Sequence, residues 1–128
     1  MKILGIGVDI IKNSRIKKLI KSKSFINRTF GKKEIDFSKK KFNKINFFAK
    51  RFAAKESFAK SLGTGFRNNL NFKDIEILND KMGKPYYLRT KKINNLIKRK
   101  FNVKNYDLFL SISDEKDYSV AFTILQAK

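Results

Sequence analysis

The stretch from 47 to 62 carries the longest regular pattern in the chain. Phe48, Phe52, Ala59 and Leu62 form one stripe at helical spacing, widened by Ala49, Ala53 and Phe58. Gly63-Thr64-Gly65 stops the pattern with a flexible, amide-rich turn. Such a stripe has to be buried against other elements, and the rest of the chain must supply them.

The flanking segments predict those elements. Residues 3–11 are apolar and β-branched, punctuated by Gly5 and Gly7, and read as a buried strand with close backbone approaches. Asn13 or Ser14 can cap a helix over 14–22, with Ile16, Leu19 and Ile20 on one face and Arg15, Lys17, Lys18 and Lys21 on the rest. A helical turn over 25–30 and a short helix over 32–40, containing Glu34, follow. Residues 75–78 and 85–88 read as two strands joined through Asp80-Lys81-Met82-Gly83. Thr90 can cap a helix over Ile93, Leu96 and Ile97 that ends on Lys98-Arg99-Lys100, cations that suit its dipole. A final hairpin joins 108–113 to 118–125 through Asp114-Glu115-Lys116-Asp117. This order predicts an α+β fold, a mainly antiparallel sheet packed with helices. At 128 residues it is expected to be a single domain over 1–128.

Composition removes several chemistries. The chain has no Cys and no His, which excludes Ser-His-Asp and Cys-His nucleophile systems, zinc fingers, disulfides and a histidine switch. Any general base is a carboxylate, lysine, tyrosine or water, and any metal is oxygen-bound, favouring Mg²⁺, Mn²⁺ or Ca²⁺. With 31 Lys+Arg against 11 Asp+Glu the net charge is +20, which points to an anionic partner. The abundance of Lys, Ile, Phe and Asn, all with A/T-rich codons, offers compositional drift as a second source of that charge. There is no apolar run of about 18 residues, so no membrane span is expected, and the cytoplasm is the expected compartment.

Two carboxylates stand in apolar context. Asp9 interrupts a strand, where it either caps the following helix or meets a cation. Glu56 falls in the apolar sector of the long helix with Lys60 at i+4, and Arg51 and Lys55 nearby. That set is either a surface ion pair or a site for Mg²⁺ held by carboxylates and substrate phosphate. Gly83-Lys84-Pro85 is a turn that places a cation, and Ser111-Ile112-Ser113 is a strand with small hydroxyls. No phosphate-binding GxxxxGK[ST] loop occurs.

Taken in order, Gly5-Ile6-Gly7-Val8-Asp9-Ile10, the run from Arg51 to Gly65 (RFAAKESFAKSLGTG), Gly83-Lys84-Pro85-Tyr86 and Leu110-Ser111-Ile112-Ser113 closely resemble the small bacterial type of the 4′-phosphopantetheinyl transferase superfamily. The resemblance implies transfer of 4′-phosphopantetheine from coenzyme A to a serine of an acyl carrier protein, releasing adenosine 3′,5′-bisphosphate, with Mg²⁺ required. It implies Asp9 and Glu56 as metal ligands, and Glu56 with Lys60 and Asp9 as the catalytic set. It implies Arg51, Lys60, Gly63, Gly65, Gly83, Lys84, Pro85, Ser111 and Ser113 for the coenzyme. Arg15, Lys18 and Lys21 would dock the acidic carrier, and the family is usually homotrimeric with its site across the subunit interface. One position departs: where the family commonly has His after the small-residue strand, this chain has Asp114. The alternative from charge alone is a small basic RNA- or ribosome-associated protein. The ordered motifs favour the transferase, with no nucleic-acid partner.

Overall fold

The computed structural model describes residues 1–67 and 69–128. Strand β1 (Lys2–Lys12) leads into α1 (Asn13–Leu19), α2 (Lys23–Thr29), α3 (Lys32–Ser38) and the long α4 (Lys44–Ser61). After a short 3₁₀ turn come β2 (Ile77–Asn79), β3 (Pro85–Tyr87), α5 (Lys91–Phe101), β4 (Tyr106–Asp114) and β5 (Tyr118–Ala127). The main sheet is antiparallel with order β1-β5-β4, and β2-β3 form a separate hairpin. The α+β expectation holds.

Helix α4 is the centre of the molecule. It starts at Lys44, earlier than the apolar stripe, because the Asn43 side chain accepts from the Asn46 amide at 3.0 Å and caps it. Gly63, at φ 79°, ends it in the left-handed conformation while its amide bonds the Lys60 carbonyl. The main sheet covers one side, and its inward positions on β1 are Gly5, Gly7, Asp9 and Ile11. The glycines set the spacing. A Cβ on Gly5 would lie 1.8 Å from the Ser61 carbonyl oxygen, and one on Gly7 1.9 Å from that of Ser57. Only glycine lets the helix backbone lie this close to the strand.

Below Gly7 the Ser57, Thr123 and Tyr87 hydroxyls form a buried cluster. Thr123 Oγ1 is 2.6 Å from Ser57 Oγ and 2.7 Å from the Tyr87 hydroxyl, which donates to the Ala54 carbonyl. On the other side of α4 lies an aromatic layer. Phe30 packs on Phe48 at 4.6 Å, and Phe52 stacks on Phe72 at 5.3 Å. Phe25, Phe30, Phe47, Phe48, Phe52 and Phe58 are buried here, whereas Phe37, Phe42, Phe109 and Phe122 are exposed.

Local expectations shift in three places. Asn13 does not cap α1. It is the helix's first residue, and its side-chain amide donates to the Glu115 and Lys116 carbonyls and accepts from Ser119, pinning the β4–β5 loop. Helix α1 ends at Leu19 because Ser22 starts the next helix, accepting from the Phe25 amide. Strand β2 begins at Ile77, since Ile75 already closes the 3₁₀ turn.

Candidate active site

The inward position of Asp9 brings it beside the last turns of α4. Lys60 Nζ lies 3.1 Å from Asp9 Oδ1 and 3.1 Å from the Val8 carbonyl oxygen. Asp9 is therefore held by a cation and does not cap α1. Glu56, one turn before Lys60, is half-buried. Its pKa is pushed above the ordinary glutamate value, first by burial and then by the negative charge of Asp9, with Lys60 and Arg15 pulling the other way. Four residues named from the sequence (Asp9, Arg15, Glu56 and Lys60) thus act on one another at one place.

Glu56 and Arg15 line a groove of about 780 Å³ with an apolar floor from Leu19, Phe25, Phe52 and Phe72. Arg28 and Lys73 add positive charge to its walls. Lys18 and Lys21 are exposed at the end of α1.

Other expected residues lie elsewhere. Arg51 and Lys55 do not surround Glu56. Both turn inward to Glu34, which is fully buried. Lys55 Nζ donates to Glu34 Oε1 at 2.7 Å, to the Phe72 carbonyl at 3.0 Å and to the Ile75 carbonyl. Glu34 also accepts from the Gly31 and Ile77 amides. Arg51 Nε faces Glu34 at 3.8 Å, its guanidinium lies over the Phe47 ring, and Nη2 donates to Asn79 at 2.6 Å. Burial lowers the Arg51 pKa to about 10 against the opposing pull of Glu34. Asn79 in turn donates to the Gly83 carbonyl, so Arg51 is tied to the turn that carries Gly83, Lys84 and Pro85.

That corner is separate from the Asp9–Glu56 pair. Asp114, at the end of β4, accepts a hydrogen bond from the Asn46 side chain. Ser111 and Ser113 point outward on β4, on the sheet face opposite Asp9. The 63–65 turn follows Lys60, with Gly63 and Gly65 at positive φ and open space where a Cβ would stand. Sequence reasoning did not assign Glu34 a role. The available signal is the pair Arg51 and Lys55, two cations on an otherwise apolar helix that require a buried acid.

The donors available for a metal are oxygens from Asp9 and Glu56. Among the described residues no cluster of three or more acidic, Cys or His residues forms a closed metal cage. Two carboxylates whose charges oppose each other fit a hard divalent cation that takes its remaining ligands from water and substrate.

The chain as a whole matches a known class. Residues 5–123 fit the family model of the 4′-phosphopantetheinyl transferase superfamily. The chain therefore belongs to that superfamily, and it is a transferase enzyme. Within it the similarity is to holo-[acyl-carrier-protein] synthases. That of Pelagibacter ubique (strain HTCC1062) is 58% identical over 128 residues, covering 100% of both chains. That of Clostridium botulinum (strain Eklund 17B / Type B) is 45% identical over 126 residues, covering 97% of this chain and 98% of the other. Among solved structures, the synthase of Bacillus anthracis str. Ames in complex with CoA (3′,5′-ADP) superposes with TM-score 0.82 at 33% identity, covering 100% of both chains. The Neisseria meningitidis synthase does so with TM-score 0.86 at 35% identity, over 97% of this chain and 98% of that one. The reading as an RNA-associated protein finds no support in these likenesses. No helix among the described residues is long and apolar enough to cross a membrane.

Proposed function

We propose that this chain transfers 4′-phosphopantetheine from coenzyme A to a serine of an apo acyl carrier protein. The observation that carries it is the convergence of Asp9, Glu56, Lys60 and Arg15 at the edge of one groove. In this reading the serine oxygen forms a bond to the phosphorus that bears pantetheine. The bond from that phosphorus to the bridging pyrophosphate oxygen breaks, and its electron pair leaves on adenosine 3′,5′-bisphosphate. Glu56, half-buried beside Asp9 on the wall of the groove, is the carboxylate placed to accept the serine proton. Lys60 supplies positive charge where the leaving phosphate develops its own.

Mg²⁺ is the metal this reading assigns, held by Asp9 and Glu56. When bound it would offset charge on the pyrophosphate. The carrier is expected to dock through Arg15, Lys18 and Lys21, with an apolar side chain over the Phe25–Phe52 floor. The cytoplasm is the compartment we assign, in line with a sequence free of Cys.

The chain is proposed to work as a homotrimer with sites between subunits. The outward sheet face exposes Ile6, Val8, Ile10, Phe109 and Phe122, at 39–63%. Contiguous apolar side chains of this size need cover. Ser111 and Ser113 stand on that same face, away from Glu56 of their own chain. A second copy over this face would bring its own Asp9–Glu56 pair within reach of them. A contact that uses different patches on the two partners gives a ring when its rotation closes, and three copies is the closure proposed here.

The test is incubation of purified apo carrier with coenzyme A and Mg²⁺, read by mass spectrometry. The carrier should gain one phosphopantetheinyl group, and Glu56→Gln should lose the activity with its fold intact. A wild-type protein that leaves the carrier unmodified at saturating Mg²⁺ overturns the reading.

A further inference from the structure

One cationic surface is not used by the reaction described above. From Lys81 to Tyr106 the chain has no Asp or Glu. Within it, α5 buries Ile93 and Ile97 and turns Lys92, Asn95, Leu96, Arg99 and Lys100 to a shallow depression of about 560 Å³. These positions follow i, i+3, i+4, i+7, i+8 and so form one face, roughly 12 Å long. The face begins at the groove. Lys92 Nζ binds Asp74 Oδ2 at 2.7 Å, and Asp74 lines the groove that holds Glu56.

The helix dipole accounts for cations in the last turn, Lys98, Arg99 and Lys100, but not for Lys91 and Lys92 in the first, where positive charge is unfavourable. The carboxylate beside this face, Asp74, is already shared by Lys92 and the Asn71 amide. Among the described residues, Arg99 and Lys100 have no acidic partner within the chain. Their charge is available to something outside it.

We infer that this face of α5 is a second docking surface for the acidic carrier protein. It extends the footprint beyond α1 to the helix that the Lys92–Asp74 pair joins to the groove. The inference rests on the transferase reading. A carrier whose serine reaches Glu56 lies over the groove that Arg15, Lys73 and Asp74 line, and Asp74 is paired with Lys92 of α5. Its acidic surface then continues along Asn95, Arg99 and Lys100. Leu96, half-buried at the centre of the face, gives it an apolar contact. Charges arranged this way speed encounter and fix orientation.

The test is steady-state kinetics of Arg99→Glu combined with Lys100→Glu. The control is Lys39→Glu with Lys40→Glu, which changes the net charge equally at the far end of α3. At low ionic strength KM for the apo carrier is expected to rise roughly fivefold in the α5 variant. Its kcat and its KM for coenzyme A should stay unchanged, and the difference should fade as salt approaches about 0.5 M. The control should leave the carrier KM as it is. An equal rise in the control, an unchanged carrier KM, or a rise in the coenzyme KM instead would each overturn the docking surface. A wild type that modifies carrier but is indifferent to the α5 pair removes this inference alone. A wild type that modifies none removes the transferase reading with it.

Discussion

Lys60 grips Asp9 and the carbonyl of the residue before it with one ammonium group, each contact at 3.1 Å. The consequence falls on Glu56. Asp9, fixed beside α4 by Lys60, adds its negative charge to a carboxylate that burial already disfavours in ionised form. Lys60 offsets part of this and leaves Glu56 a stronger base than an exposed glutamate.

In metal-free protein the Glu56 carboxyl should titrate above the ordinary glutamate value. A carboxyl whose folded pKa exceeds its unfolded one binds its proton more tightly in the fold. Its stabilising effect is present below the unfolded pKa and is lost as pH rises through the folded one. Metal-free stability should therefore fall as pH rises above the ordinary glutamate range, and more steeply in wild type than in Glu56→Gln. Urea unfolding at several pH values checks this, and equal slopes would remove the assignment. Mg²⁺ should move the Glu56 carbon-13 titration to lower pH, because a cation favours the carboxylate.

Gly7→Ala should destabilise by about 4 kcal/mol or more. The new Cβ would meet the Ser57 carbonyl oxygen at 1.9 Å, and that oxygen belongs to helix backbone with little room to give. Any relief moves α4 away from β1, and so moves Glu56 and Lys60 away from Asp9. Thermal unfolding and the transfer assay should fall together. A variant of native stability would show that the strand–helix spacing is not set here.

The buried triad of Glu34, Lys55 and Arg51 predicts an asymmetry. Glu34→Leu leaves the Lys55 ammonium buried without its acid, and should cost about 3–5 kcal/mol. Adding Lys55→Met removes the stranded charge and should recover part of that loss. Urea denaturation of the two single variants and the double gives the coupling. A double variant no more stable than Glu34→Leu would show that the pair matters through shape rather than charge.

The legible parts of this molecule are those with local periodicity. The stripe from Phe48 to Leu62 predicts α4, the hairpin expected over 108–113 and 118–125 appears as β4 and β5, and Gly5 and Gly7 mark a close approach that the structure places against Ser61 and Ser57. Asp9, Glu56 and Lys60 are legible because carboxylates in apolar context demand partners. The fate of Arg51 and Lys55 is not. Their partner Glu34 lies on α3, and nothing local in α4 says which acid will enter the core. Nor does β-alternation alone reveal that Ser111 and Ser113 share a face with Val8 and Ile10. That depends on the strand order β1-β5-β4, a long-range property.

The same strand order makes the last prediction. Val8 pairs with Phe122, which pairs with Ser111, so one outward row crosses the whole sheet. Val8 is 53% and Phe122 39% exposed, and the neighbouring Ile10 is 63% exposed. Val8→Glu puts a charge into the middle of this row without touching the inward face, where Gly7 and Asp9 meet α4. Light scattering should show wild type as a trimer and the variant as a monomer with native circular dichroism. The monomer should also lose transfer, although its own Asp9, Glu56 and Lys60 are unchanged, because Ser111 and Ser113 would no longer be presented by a neighbour. A monomeric variant with wild-type turnover would show that one chain holds a complete site. A wild type that is already monomeric would leave the apolar face without the partner assigned to it.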